Sequence, residues 1–369
     1  MAEEKDIYIK LMEDITGMDN IDPKASIFDE EINANMVKSC QVLAEILGVA
    51  KANDAEKISV GINDEKYLEP CPIAYTGKLN GKNFRSVFIG LNPYSEGPRD
   101  DFPDDMTWGD LANIHHPNDI WYGYSDDRYI PLEDTKKKFP RNNYWRVYGN
   151  KEGNRKWSDY YRLIFPIHVA LHWNEINETF GLKQFSIWSE FKKSYKNDKE
   201  VTNTILQILE KFPIANFEAI PYKSAKYNTK NFQELFTRSN ICHKYMRYLT
   251  DFLQFIDNYA KKDAYIIISS KVADMDTVAD VFRNIMKKIP GSTVETMVKG
   301  AFNKKSNKFE PNSNREKHSL APLYLFYWNN RRVIISSPIS MAEKNYSWIY
   351  NIPFKFADVI SGGEMYRHQ

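Results

Sequence analysis

Four short apolar runs, separated by longer stretches of helical period, constrain this chain more than any other feature. They are Ser86-Val87-Phe88-Ile89, Ala215–Ile220, Ala264–Ile268 and Arg332–Ile335. Each is rich in β-branched or aromatic residues and is bounded by Gly, Pro or Ser, as strands are. Helical patterns lie between them at Ile241–Tyr259 and Met275–Lys288, with further candidates at Ser158–Trp173 and Val201–Lys211. Short strands alternating with helices predict an α/β fold with a mostly parallel central sheet. Leu323–Trp328 followed by Asn329-Asn330 reads as a hairpin arm leading into the last strand. Ile73-Ala74-Tyr75 and the first run bracket Asn80-Gly81, a strong hairpin signal.

Residues 1–72 read as a helical N-terminal extension. Met36, Val37, Cys40, Leu43, Ile46 and Leu47 supply the apolar stripe of an amphipathic helix. Residues 73–369 form the α/β domain, with a large insertion over about 95–165 and a polar mobile loop over about 299–319.

Composition narrows the function classes. The chain has 369 residues, 42% hydrophobic and 14% aromatic, enough to bury a large core and to exclude global disorder. Mean hydropathy is −0.57 and no apolar run approaches ~18 residues, so no membrane partner is expected. Met1–Asp19 alternates charged and apolar residues without the apolar core of a signal peptide, which predicts a cytoplasmic protein. Cys40, Cys71 and Cys242 are isolated, giving neither a disulfide framework nor a paired metal motif. His168 and His172 stand four apart, but Phe165, Ile167, Val169 and Leu171 surround them, so packing is expected rather than a metal. No cofactor is expected.

Ligands of open parallel sheets bind beyond the carboxyl ends of the strands. The four strand exits are Gly90-Leu91-Asn92-Pro93-Tyr94, Pro221-Tyr222-Lys223-Ser224, Ser269-Ser270-Lys271 and Ser336-Ser337-Pro338-Ile339-Ser340. All four place small, polar or Pro residues directly after an apolar run. One such exit is ordinary turn chemistry; four on one sheet suggest a site.

The first exit resembles the first motif of the uracil-DNA glycosylase superfamily, Gly-x-Asn/Asp-Pro at the end of a strand. The last resembles the second motif, His-Pro-Ser-Pro-Leu-Ser in its best-known form. Their order along residues 73 to 350 agrees too. The resemblance implies a three-layer αβα sandwich and a monofunctional DNA glycosylase that flips a base and hydrolyses its N-glycosidic bond without a metal. In it Asn92 takes the water-orienting position and Tyr94 the aromatic position beside the base. Gly90, Leu91, Pro93, Tyr222 and Ser224 then line the base site. Ser336, Ser337 and Ser340 would hold DNA phosphates, with Pro338 shaping their turn, and Ile339 would fill the gap left by the flipped base. Asn92 is uncharged and cannot be a strong base, so Asp100 and Asp101 are candidate carboxylates unless they belong to a solvated acidic loop. Ile335 stands where the second motif has its His, which removes the imidazole that would steady a departing uracil.

Net charge is only +1, yet its distribution is uneven. Lys136 to Arg162 carries nine basic residues, among them Arg141, Arg146, Arg155 and Lys156, against Glu152 and Asp159, a net of +7. Phe139, Tyr144, Trp145, Tyr148 and Trp157 are interleaved with them, a pattern suited to phosphate contact and base stacking. Lys299 to Lys317 adds a second basic patch of net +4, while Glu96 to Asp134 is an acidic block of net −9 that masks both. Lys223 and Lys271 are further candidate DNA contacts.

DNA is therefore the expected partner. The bulky, aromatic insertion suggests a base larger than uracil, and the resemblance extends to phage-defence members that remove glucosylated hydroxymethylcytosine. Three alternatives stay open: a classical uracil or thymine mismatch glycosylase, a catalytically silent nucleic-acid sensor, and an α/β hydrolase of free nucleosides.

Overall fold

The computed structural model describes residues 6–46, 73–75, 81–90, 105, 107–115, 147–149, 155–157, 167–169, 171–181, 207–220, 239–270, 274–303, 308–311 and 320–336. Among these, two helices come first, α1 (Ile7–Thr16) and α2 (Glu30–Ile46). Asp6 caps α1 by accepting from the Tyr8 N–H at 2.8 Å, and Gly17, at φ +69°, ends it in the left-handed region. The buried face of α1 carries Ile7, Tyr8, Leu11, Met12 and Ile15.

Eight strands form one sheet in the order β1-β5-β2-β6-β10-β9-β7-β8. They are β1 (Ile73–Tyr75), β2 (Phe84–Gly90), β5 (Ile214–Glu218), β6 (Ala260–Ser269), β7 (Val298–Asn303), β8 (Lys308–Pro311), β9 (Leu320–Trp328) and β10 (Arg331–Ser336). The four central strands, β5-β2-β6-β10, are parallel, and every other pairing is antiparallel. The sheet is therefore mixed rather than mostly parallel: a parallel centre with antiparallel additions at both edges. A separate two-stranded piece pairs β3 (Val147–Gly149) with β4 (Arg155–Trp157).

The remaining helices are α3 (Trp108–His115), α4 (Trp173–Phe180), α5 (Ser239–Tyr259) and α6 (Met275–Lys288). In α5, Tyr245, Tyr248, Leu249, Phe252, Leu253 and Ile256 recur every three or four residues and are all buried. Helix α6 buries Met275, Val278, Ala279, Phe282, Ile285 and Met286, and its final turn carries Lys287 and Lys288, which suit the negative end of the helix dipole.

Helical segments lie on both faces of the sheet. Val87, Ile89, Phe217, Ile266, Ile268, Val333 and Ile335 share one apolar cluster with α1, α5 and α6. Their strand neighbours alternate to the opposite face. There Ser86 meets His168 and His172, immediately before α4.

The junction between α5 and β6 is held by Arg331. Its guanidinium is 1% exposed, lies 2.5 Å from Asp257 Oδ1, and donates to the carbonyls of Lys261, Asp257 and Ala260 at 2.9–3.0 Å. The Asp257 carbonyl lies in the last turn of α5 and those of Ala260 and Lys261 at the start of β6, so one side chain gathers the acceptors where helix gives way to strand.

Several expectations hold. Helix α6 has the limits read from its periodicity, and Asn329 and Asn330, at φ +49° and +67°, join β9 to β10 as the arm required. Besides the mixed sheet, three are corrected. Strand β1 pairs with β5, not with β2, so the segments flanking Asn80-Gly81 form no hairpin with each other. A turn dipeptide permits a tight reversal, but pairing went to the buried strand Ile214–Glu218. The stretch 299–319 is not wholly a loop, because β8 pairs with β7 there, setting Phe302 opposite Phe309. Where a helix was expected to stop at Trp173, α4 instead begins, with His172 at its N-cap, and runs to Phe180, where Gly181 closes it at φ +58°.

Candidate functional site

Because β5, β2, β6 and β10 are parallel, their carboxyl ends lie along one edge. Gly90 is the pairing partner of Glu218, Ile89 of Ile268, and Ser336 of Ser269. Glu218, Gly90, Ser269 and Ser336 thus form one row across the four strand exits, on the face away from α5 and α6. The Ala219 N–H donates to the Gly90 carbonyl at 2.9 Å, and the Ser270 N–H to the Ser336 carbonyl at 2.8 Å. These two bonds carry the sheet one step past the strands at both ends of the row.

Two residues upstream on that face, Phe88, Ile267 and Ile334 are buried beside Asn216. The row therefore rests on a largely apolar floor. The strand order 5-2-6-10 reverses direction between β2 and β6, and such a switch point opens a crevice at the carboxyl ends.

Glu218 is the residue that the sequence reading missed. Only 2% of it is exposed. Its Oε1 accepts from Asn216 Nδ2 at 3.3 Å, and the Tyr248 hydroxyl donates to its backbone carbonyl. A Cβ at residue 90 would lie 2.7 Å from Glu218 Cδ and closer still to Oε2, so glycine there leaves the carboxylate its place. The signal was available: one acid inside the apolar run Phe217-Glu218-Ala219-Ile220 at a strand exit.

Of the expected site residues, Gly90 ends β2 and Ser336, 5% exposed, ends β10. Arg155 and Lys156 lie on β4, paired with Gly149 and Tyr148. Leu91, Asn92, Pro93, Tyr94, Asp100, Asp101, Arg141, Arg146, Tyr222, Lys223, Ser224, Lys271, Ser337, Pro338, Ile339 and Ser340 lie outside the described residues. Ile335, in the position of the motif's His, is fully buried in the main core.

The histidine pair occupies a different place, nearer the amino ends of the strands. His172 Nε2 lies 3.1 Å from the Arg85 carbonyl, an acceptor only, which assigns the proton to that nitrogen. Ser86 Oγ is 3.2 Å from the same nitrogen and 2.9 Å from His168 Nδ1, so its hydroxyl bridges two neutral rings. Burial, then the Arg85 charge, pulls His172 down to about 4. Burial and the neighbouring His172 hold His168 well below its ordinary value. The pair packs and hydrogen-bonds beneath the sheet. Among the described residues no group of three or more His, Cys, Asp or Glu stands together to hold a metal. No helix among them is long and apolar enough to cross a membrane.

Comparison with protein-family models, with curated proteins and with solved structures returns no match.

Proposed function

We propose that the protein is a monofunctional DNA glycosylase with the three-layer αβα architecture of the uracil-DNA glycosylases. It flips a modified or damaged base and hydrolyses the N-glycosidic bond, leaving an abasic site. One observation carries this reading. The two strands that run into the motif-like segments, β2 and β10, flank β6 in the parallel block, and their last residues, Gly90 and Ser336, stand in the same row. The strands that lead into two weak motifs far apart in the chain thereby end at one edge, beside a switch point of the kind where ligands bind.

In the proposed reaction a water oriented by Asn92 adds to C1′ of the sugar. The C1′–N bond breaks and its electron pair leaves with the base, which takes up a proton. An uncharged Asn supplies orientation rather than strong basicity, so the rate depends on positioning and on electrostatic support of the cationic sugar. Tyr94 flanks the flipped base, Ile339 fills its vacated place, and Ser336, Ser337 and Ser340 hold the backbone. With Ile335 in place of the motif's His, the departing group is not steadied as uracil would be. This favours another base, and a bulky modified cytosine such as glucosylated hydroxymethylcytosine, met in defence against phage, is the substrate proposed.

The test is incubation with duplexes carrying one uracil, mismatched thymine, hydroxymethylcytosine or glucosylated hydroxymethylcytosine, followed by alkali. Strand breaks at a modified cytosine, abolished by Asn92→Ala with DNA binding kept, are expected. Breaks at uracil alone would discard the modified base. The burial of Ile335 in the core favours a second reading, a catalytically silent DNA-binding protein, which predicts binding without breaks on any duplex.

A further inference from the structure

We infer that the Glu218 carboxylate reads the exocyclic amino group of the flipped base, which makes the substrate class a cytosine-type base rather than uracil or thymine. This rests on the glycosylase reading above and adds its specificity residue. Glu218 ends β5, next to the strand that leads into Asn92, and is 2% exposed. Its pairing partner is Gly90, the one residue type that leaves the carboxylate room to lie over β2. Asn216 donates to Oε1 at 3.3 Å and so orients the group from below. An anchored carboxylate thus stands in the row of strand exits, on the side away from the main core.

An ionised carboxylate only accepts hydrogen bonds. Cytosine offers its N4 amino group as donor, whereas uracil and thymine offer O4, another acceptor. A buried acceptor facing O4 would set two lone-pair bearing oxygens together with their water removed. Sites built around one such buried bond reject the analogue that lacks it. A substituent at C5 leaves the N4 amino group in place, so the same carboxylate serves a cytosine with a bulky 5-substituent.

The experiment compares wild type with Glu218→Gln on duplexes carrying a single hydroxymethylcytosine, glucosylated hydroxymethylcytosine or uracil, with thermal melting as a check of folding. Gln can turn its amide to donate to O4. Wild type is expected to excise a cytosine-type base at least about tenfold faster than uracil, and E218Q to shrink that ratio by about tenfold or more. Equal wild-type rates on both bases, an unchanged ratio in E218Q, or an equal fall on both bases would overturn the inference while leaving a glycosylase. No excision by wild type on any duplex would overturn the glycosylase reading and this inference with it. If E218Q fails to fold, Glu218→Asp replaces it. Withdrawing the acceptor by one methylene should cut excision of the cytosine-type base at least about tenfold while sparing affinity for unmodified duplex, and unaltered excision overturns the inference.

Discussion

The Glu218 carboxylate occupies the space in which a side chain at residue 90 would stand, with Cδ 2.7 Å from where a Cβ would be. The two residues are partners across β2 and β5, so neither can change without the other responding. Gly90→Ala is expected to lose about 1–3 kcal/mol of stability through overpacking. In a Glu218→Ala background the same substitution should cost less than half as much. Denaturant unfolding of the four proteins in a double-mutant cycle measures this. Additive costs would show that the carboxylate is not the reason for the glycine.

The histidine pair makes stability fall in acid. Both rings are neutral when folded, while an unfolded His takes up a proton near 6.5. The folded value for His172 is about 4, so its contribution is complete above about pH 6.5 and is lost as pH falls toward 4. The loss amounts to about 3 kcal/mol for this ring alone. Urea titrations at pH 7.5, 6 and 4.5 should show it as the difference between wild type and His172→Gln, which shrinks as pH falls. An identical pH profile in H172Q would refute the assignment.

Asp14 acts in the opposite sense. Its side chain is buried on α1 beside Asp251, and burial, then the Asp251 charge, raises it to about 8 despite Arg247 Nε at 2.8 Å. The folded state favours the protonated acid, so this contribution is complete below about pH 4, is lost progressively as pH rises to 8, and opposes the His172 dependence between pH 4 and 6.5. Between pH 6.5 and 8.5, where the His contribution is flat, stability should decline by roughly 1–2 kcal/mol, and Asp14→Asn should remove the decline. Thermal melts across that range suffice, and a parallel decline in D14N would count against it.

Arg331 is a buried cation at the start of β10, paired with Asp257. Arg331→Met would leave the carbonyls of Lys261, Asp257 and Ala260 and the Asp257 carboxylate without this donor. A cost of about 3–5 kcal/mol is expected. Arg331→Lys, which cannot reproduce the fork, should recover only part of it. A loss under about 1 kcal/mol by chemical denaturation would mean that water replaces the guanidinium freely.

On the proposed glycosylase reading the protein binds DNA, with an affinity that should depend steeply on salt. Reversing Arg155 and Lys156 together to Glu is expected to weaken duplex affinity by at least about tenfold. The slope of log affinity against log salt should fall by about 2, one for each phosphate that the variant no longer neutralises. An unchanged slope would exclude β4 from the DNA surface.

Wherever local pattern and tertiary environment ask for the same thing, the amino-acid sequence sufficed. The four central strands, α5, α6 and the Asn329-Asn330 turn were legible because burial on one face imposes a period that survives in any context. Asn80-Gly81 misled because a turn propensity of a few residues does not choose a strand's partner. Strand β8 was missed because Lys308–Pro311 gains its strand state from pairing with β7, not from its own apolar content.

The sequence by itself determined the class of fold, the positions of the strand exits and the two segments that resemble glycosylase motifs. It also determined that basic and aromatic residues alternate over 136–162. Tertiary structure alone decided the strand order, which brings Gly90 and Ser336 into one row although they are far apart in the chain. It alone turned Glu218 from one acid in an apolar run into a buried carboxylate over Gly90. The physical reason is that pairing between strands depends on residues distant in sequence, and a residue's partners across a sheet leave no trace in its neighbours along the chain.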